Sequence, residues 1–301
     1  MDERGIIGTA MGISMAGERC VAEIQFCDYI FNTIDLLKIA GNTHWVSNGN
    51  CSMPMVVMTP VGAGIRGSVY HSHSFDAWAT RLPGWKIVMP SNPLDAYGLM
   101  LSAIKDPNPV LYLKPKALLR VRGDELIPGE PENEKDLKAM IDAPIGDRSE
   151  WQANWPKLKD YEVPIGKAKI VCEGNAATVV SYGRTLPLCV KAAETLATQG
   201  VRVEVIDLRS LYPYDWQCIK KSIQKTGRVL FVNEDTEVTN FAEHLVYRCT
   251  QELFYELVAR PRVLAGKHVP GIGLHPNLEE ASVPQLKDVQ RELEELLEEI
   301  P

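Results

Sequence analysis

The sequence has no C-x-x-C pair, no run approaching the ~20 apolar residues of a membrane-spanning helix, and no excess of basic charge. Each absence excludes a class. Its seven cysteines are odd in number and scattered, which argues against a disulfide frame or a zinc site and for buried thiols in a reducing compartment. A net charge of −7 offers no broad basic surface to a phosphate backbone, so nucleic acid is not an expected partner. The first residues lack a basic region followed by an apolar one, and no membrane association is expected. The expectation is a soluble cytoplasmic protein, or a mitochondrial matrix protein if the chain is eukaryotic. There are no internal repeats.

What is present is enough for two cores: 301 residues, of which 45% are hydrophobic. From Gly5 to about Pro115 strand-like and helix-like periods alternate. Strands are predicted at 20–26, 55–59, 85–89 and 110–113, and helices at 29–40, 75–81 and 93–104. Before them lies a first helix in which the small residues Ala10, Gly12 and Ala16 are expected to allow close packing. Alternation of this kind predicts an α/β fold with a parallel sheet wrapped by helices. Residues 119–163 break the pattern with a Pro-, Glu- and Asp-rich stretch, "IPGEPENEKD", and read as an insertion and linker pinned by Trp151 and Trp155. Alternation resumes on a second, independent core. Strands at 176–182, 201–207, 228–233 and 262–265 interleave with helices at 186–198, 215–225 and 241–258, and "QLKDVQRELEELLEEI" forms a terminal amphipathic helix. The expected domains are therefore 1–118 and 164–301.

Three features are candidates for chemistry. Glu3 precedes "RGIIGTAMG", where a carboxylate suits the positive end of a helix whatever else it does. His71 and His73 follow the glycine-rich run "TPVGAGIRG"; an H-x-H pair is a pattern metal sites use, but no third ligand of suitable spacing lies nearby, so zinc is not expected. Tyr29 begins an apolar stretch and reads, on residue type, as core. Arg66, between the glycines, reads equally as a carboxylate-binding and as a surface residue.

Four ordered blocks give these residues a joint meaning. "DERGIIGTAMGISMAG", "AEIQFCDYIF", "YHSHSFDAWATRLPGWKIVMPSNPLDAYGLMLSAIKDPNPVLYLKPK" and "VEVIDLRSLYPYD" resemble successive segments of the beta subunits of thiamine-diphosphate-dependent 2-oxo acid dehydrogenases. The resemblance covers nearly the whole chain outside the insertion. It implies a pyrimidine-binding, transketolase-like first domain and a transketolase C-terminal-like second domain. The family also has a strand and a helix before the glutamate, so the first domain is expected to be N-terminally incomplete, with an unpaired sheet edge.

The resemblance assigns roles residue by residue. Glu3 matches the glutamate that hydrogen-bonds the aminopyrimidine of thiamine diphosphate, where a carboxylic acid promotes the tautomer able to remove the thiazolium proton. Tyr29 matches the aromatic residue that packs on that ring. His71 matches the active-site histidine of a His-Ser-Gln motif, suited to binding the substrate carboxylate and giving a proton to a lipoyl sulfur. Here the third motif residue is His73 in place of glutamine. "SAIKDPNP" resembles a potassium-binding loop, with Ala103, Asp106 and Asn108 at the matching positions, although an ordinary turn fits the same residues.

The Gly-Asp-Gly motif that anchors the diphosphate through Mg²⁺ in thiamine enzymes does not occur. The resemblance therefore implies an alpha subunit that holds diphosphate and Mg²⁺, in an alpha2beta2 heterotetramer serving a lipoyl acyltransferase. It implies oxidative decarboxylation of a 2-oxo acid, and "DYIF" leans toward branched-chain substrates over pyruvate or acetoin. A truncated, non-catalytic scaffold of the same complex is the alternative. A self-sufficient transketolase-like enzyme would need the missing motif.

Overall fold

The computed structural model describes residues 2–300 and contains two α/β units in contact. The first comprises α1 (Glu3–Met15), β1 (Cys20–Glu23), α2 (Ile34–Val46), β2 (Met55–Val61), α3 (Asp76–Ala79), β3 (Lys86–Val88), α4 (Pro93–Lys105) and β4 (Val110–Pro115). After α5 (Glu134–Ile141), the second comprises β5 (Lys169–Cys172), β6 (Ala177–Ser181), α6 (Leu186–Ala197), β7 (Val203–Asp207), β8 (Ser210–Tyr212), α7 (Trp216–Thr226), β9 (Val229–Thr236), α8 (Phe241–Leu253), β10 (Arg262–Gly266), α9 (Pro276–Ser282) and α10 (Leu286–Glu298). None of the helices is long and apolar enough to cross a membrane, among the described residues.

Local chemistry sets many of the boundaries. Asn92 caps α4 by accepting from the Asp95 amide, and Pro93 takes the first helical position, where its missing N–H is not needed. Helix α7 starts on the Asp215 cap and stops at Gly227, whose φ of 67° ends the helical path. A capping box between Gln285 and Asp288 opens α10. Strand β2 is buried along almost its whole length, as a central strand covered on both faces must be.

The first sheet runs β1-β2-β4-β3-β8, and the second β10-β9-β6-β7-β5. Both are mixed rather than purely parallel, because β8 joins β3 and β5 joins β7 in antiparallel fashion. Strand β1 pairs only with β2 and forms one edge of its sheet, with Val21 partly exposed there.

Four expectations change. The second core is not independent: one apolar cluster joins Ile7, Leu37, Val57 and Leu113 of the first unit with Val180, Ile206, Phe231 and Leu253 of the second. Strand β8, from the second unit, completes the first sheet, and this pairing depends on tertiary packing that local periodicity does not encode. The tryptophans do not pin the insertion, since Trp155 is 70% exposed and Trp151 lies at the surface. Tyr161 and Val163 do so instead by packing on α4, with Ser102 Oγ donating to the Val163 carbonyl at 2.7 Å. In α1 Ala10 is buried, whereas Gly12 and Ala16 face outward and permit no close approach. All seven cysteines are free; Cys27, Cys189 and Cys249 are buried, and Cys51 is exposed.

Candidate active site

The candidate residues gather at the C-terminal ends of β1, β2 and β4, the end at which open α/β sheets bind ligands. The chain leaving β1 makes a 3-10 turn, Cys27–Thr33, which carries Asp28, Tyr29 and Asn32. The segment leaving β2 carries His71 and His73, and Lys116 directly follows the end of β4.

Glu3 stands in the first turn of α1 and is 7% exposed. The capping role belongs to Asp2, whose Oδ1 accepts from the Gly5 amide at 2.9 Å. Glu3 is thereby left to tertiary contacts, and its Oε2 accepts from Asn32 Nδ2 at 3.1 Å. Arg4 fastens the same helix start to the next element, reaching the Asp35 carboxylate at 2.6 and 2.9 Å and the Asn32 carbonyl at 3.2 Å. Three residues before Asn32 on the same turn, the Tyr29 hydroxyl is 3.1 Å from His71 Nε2. Tyr29 therefore does not belong to a regular α-helix running 29–40; the 3-10 turn precedes α2 and directs the phenol outward to the histidine.

His71 is also covered by Phe26, ring centres 4.1 Å apart, so three rings from two segments form one aromatic wall. His73 forms a second, parallel pair: its Nδ1 lies 3.1 Å from Asp28 Oδ1, and its ring stacks on Phe75. The two histidines thus serve different partners. Lys116 lies 5.6 Å over the Phe26 ring and is buried. Burial holds its amine below the ordinary lysine range against the opposing pull of Asp28 and Glu234. Among the described residues, its Nζ, Asp28 Oδ2 and Ser72 Oγ are buried without a protein partner. Such a concentration marks a site rather than packed interior. The Arg66 side chain is exposed, and only its backbone enters the structure here, donating to Glu279 Oε2 at 2.8 Å.

Phe26, Asn32, Asp28 and Lys116 were not singled out from the sequence. Phe26 and Asn32 flank Tyr29 in "FCDYIFN" and carry no signal beyond that neighbourhood. Lys116 shows a weak one: a second cation, after Lys114, where a largely apolar strand ends.

Ala103, Asp106 and Asn108 lie at the end of α4, away from this face. The Ala103 carbonyl accepts from the Asp106 amide, and the Asp106 carboxylate binds Lys86 Nζ at 2.5 Å and both nitrogens of Asn108. Arg19 Nη1 donates to the Ile104 and Asp106 carbonyls at 2.5 and 2.9 Å. The Asp106 carbonyl is thus engaged by a guanidinium and the Ala103 carbonyl by a backbone amide, so two of the three positions expected for potassium already have donors in this structure.

Comparison with known proteins bears on the two domains. Residues 1–122 match the transketolase pyrimidine binding domain, and residues 166–289 the transketolase C-terminal domain. A 2-oxoisovalerate dehydrogenase subunit beta from Bacillus subtilis is 34% identical over 98% of this chain and 82% of its own length. A pyruvate dehydrogenase E1 component subunit beta from Rhizobium meliloti is 33% identical over 95% of this chain, which spans 56% of that protein. In fold, a split-gene transketolase, described as an inactive beta4 tetramer, superposes with a TM-score of 0.71 at 17% identity, over all of this chain and 83% of the other. The two matched domains, with a relative 34% identical over 82% of its own length, place the chain in the transketolase-like family of 2-oxo acid dehydrogenase beta subunits.

Proposed function

We propose that this chain supplies the aminopyrimidine half of a thiamine diphosphate site in the oxidative decarboxylation of a 2-oxo acid. An alpha subunit would hold the diphosphate and Mg²⁺, and a lipoyl acyltransferase would receive the acyl group. Branched-chain 2-oxo acids are the first substrates to test and pyruvate the second. The observation that carries the reading is Glu3: a carboxylate withdrawn from water, relieved of capping by Asp2 and oriented by Asn32.

The residues present fit that half of the cofactor. Glu3 would hold a ring nitrogen, and Tyr29 and Phe26 offer flat apolar faces for the ring. When bound, the cofactor supplies the carbon nucleophile and the electron sink that a 2-oxo acid needs in order to lose CO₂. Glu3 Oε would share a proton with the heterocycle, and the Asn32 amide, donating to Oε2, would keep the carboxyl in one orientation. His71, steadied through Nε2 by the Tyr29 hydroxyl, is placed to bind a carboxylate or to give a proton to a sulfur leaving group. The Asp28–His73 pair puts a second imidazole at the same face, where the resemblance led us to expect an amide.

Reconstitution with a cognate alpha subunit tests the reading. The complex is expected to bind thiamine diphosphate and to reduce an artificial electron acceptor with a 2-oxo acid, and Glu3→Gln is expected to abolish most of that rate. Wild type and Glu3→Gln equally inert in an assembled, cofactor-bound complex would establish a scaffold instead.

A further inference from the structure

Residues 62–77 carry both histidines, and their own hydrogen bonds do not hold them. Gly62 and Gly64 lie at φ 83° and 106°, where glycine is favoured, and Arg66 and Ser68 share the left-handed region at 56° and 59°. A side-chain-bearing residue there costs on the order of 1–2 kcal/mol, so the conformation needs external restraint. Before α3 begins, the backbone of this segment makes two bonds to itself: Gly62 N to the His73 carbonyl at 3.0 Å, and His71 N to the Ser68 carbonyl at 3.3 Å.

The second domain supplies the restraint. Glu234 Oε2, at the end of β9, accepts from the Ala63 amide at 3.2 Å. Its neighbour Asp235 accepts through Oδ2 from the Ala77 amide at 3.0 Å. Glu279, on α9, accepts from the Arg66 amide at 2.8 Å. All three carboxylates are buried. Around them the fit is tight: Glu234 leaves no room for a Cβ on Gly62, Val69 leaves none on Gly271, and Ala63 packs with Ile272 and Val283.

This arrangement is a poor way to gain stability alone. Burial pushes the Glu234 and Asp235 carboxyls above their ordinary range, Asp235 to about 6, and Asp76 facing Asp235 is raised well above it. Arg184, 3.9 Å from Glu234, is the one cation within 4.0 Å of the three among the described residues. Apolar side chains of similar volume would join the two domains at lower electrostatic cost. What carboxylates add is direction, because each holds one backbone N–H of 62–77 by a directed hydrogen bond.

We infer that Glu234, Asp235 and Glu279 are positioning residues, acting from the second domain on the backbone of 62–77 to hold His71 against Tyr29 and His73 against Asp28. The consequence for turnover rests on the function proposed above; the mechanical claim does not. Amide exchange by mass spectrometry on the full chain tests the mechanical claim. Glu234→Ala and Glu279→Ala are each expected to speed exchange in 62–77 about tenfold, the loss of one directed hydrogen bond, with peptides elsewhere unchanged. Glu234→Gln keeps an acceptor and should restore most of the protection. Should Glu234→Ala fail to fold, the more peripheral Glu279→Ala decides alone. In the complex with an alpha subunit, the same alanine variants should lower kcat about tenfold while changing the KM for the 2-oxo acid less than about twofold. Unchanged exchange in 62–77, or an increase spread evenly over the chain, overturns the inference. An inert wild-type complex would remove the proposed function and leave the exchange result to decide this one.

Discussion

Two seams join the halves of this molecule, and they are built on opposite principles. At the first, β8 continues the first sheet by pairing with β3, and Arg209 crosses to Asp95 at 3.1 Å while donating to the Lys167 carbonyl. Ser91 Oγ donates to Asp207 Oδ1 and accepts from the Gly183 amide. Here a buried cation, Arg209, meets a buried carboxylate, Asp95, and strands meet strands. At the second seam, three carboxylates hold backbone amides of a strained segment, with little cationic compensation. The first seam resembles the interior of one domain and maintains the assembly. The second resembles a jig, and it lies against the residues proposed to carry the chemistry. Stability and function are therefore separable in this interface, although both seams connect the same two units.

The largest effect is expected from breaking the first seam. Arg209→Met leaves Asp95 and Asp207 buried without their cation, a loss of about 3–5 kcal/mol, visible as a thermal midpoint lowered by about 6–15 °C. A midpoint within 2–3 °C of wild type, on the order of a 1 kcal/mol change, would show that the strand pairing alone secures the seam. Next comes the chemistry. Glu3→Gln should lower the decarboxylation rate of the alpha-beta complex about 10²-fold or more, in the range of a lost acid–base group, with the thermal midpoint nearly unmoved. A variant that instead unfolds would move Glu3 from the chemistry to the framework.

A smaller effect tests the electrostatics of the first seam. Burial, with Asp95 adding to it, raises the Asp207 carboxyl from 3.8 to about 7. A carboxyl whose folded pKa is raised binds its proton more tightly when folded. Its contribution is full below pH 3.8 and is lost as pH rises toward 7. The chain should therefore lose stability between pH 4 and 7 through this group. Asp207→Asn should flatten that decline and raise stability at pH 8 by about 1–2 kcal/mol, because the new unpaired amide offsets part of the gain. Denaturant titrations at pH 5 and pH 8 measure the difference, and a decline as steep in the variant as in wild type would refute the assignment. The smallest effect belongs outside both seams: Arg4→Ala removes an exposed pair with Asp35, screened by solvent, and should leave stability nearly unchanged. A greater loss in denaturant titration would show that Arg4 positions Glu3 rather than decorating the surface.

Much of the fold was legible in advance, for a physical reason. Apolar periodicity located the principal strands and helices, because a buried strand such as β2 and an amphipathic helix such as α10 must display their burial in sequence. Strand β8 was not legible: a three-residue strand has almost no period, and its partner is 122 to 125 positions away, with Ile87 opposite Tyr212 and Val88 opposite Ser210. At the site, His71 and Tyr29 were named from a family resemblance, and the structure joins them by a hydrogen bond. Phe26, Asn32 and Lys116 were missed because their importance depends on what lies across from them. In the loop expected to hold potassium, Asp106 is engaged by Lys86 and Arg19, partners that sequence neighbourhood did not announce.

By itself the sequence determined the two α/β units, the family, and the residue types available for chemistry, since these follow from side-chain pattern and order along the chain. Only the tertiary structure decided that Asp2 rather than Glu3 caps the first helix, that the two histidines take separate partners, and that Glu234, Asp235 and Glu279 reach across to the amides of 62–77. A hydrogen bond between groups far apart in the chain has no local signature. Its existence depends on where packing brings two backbones, and one-dimensional pattern carries no record of that.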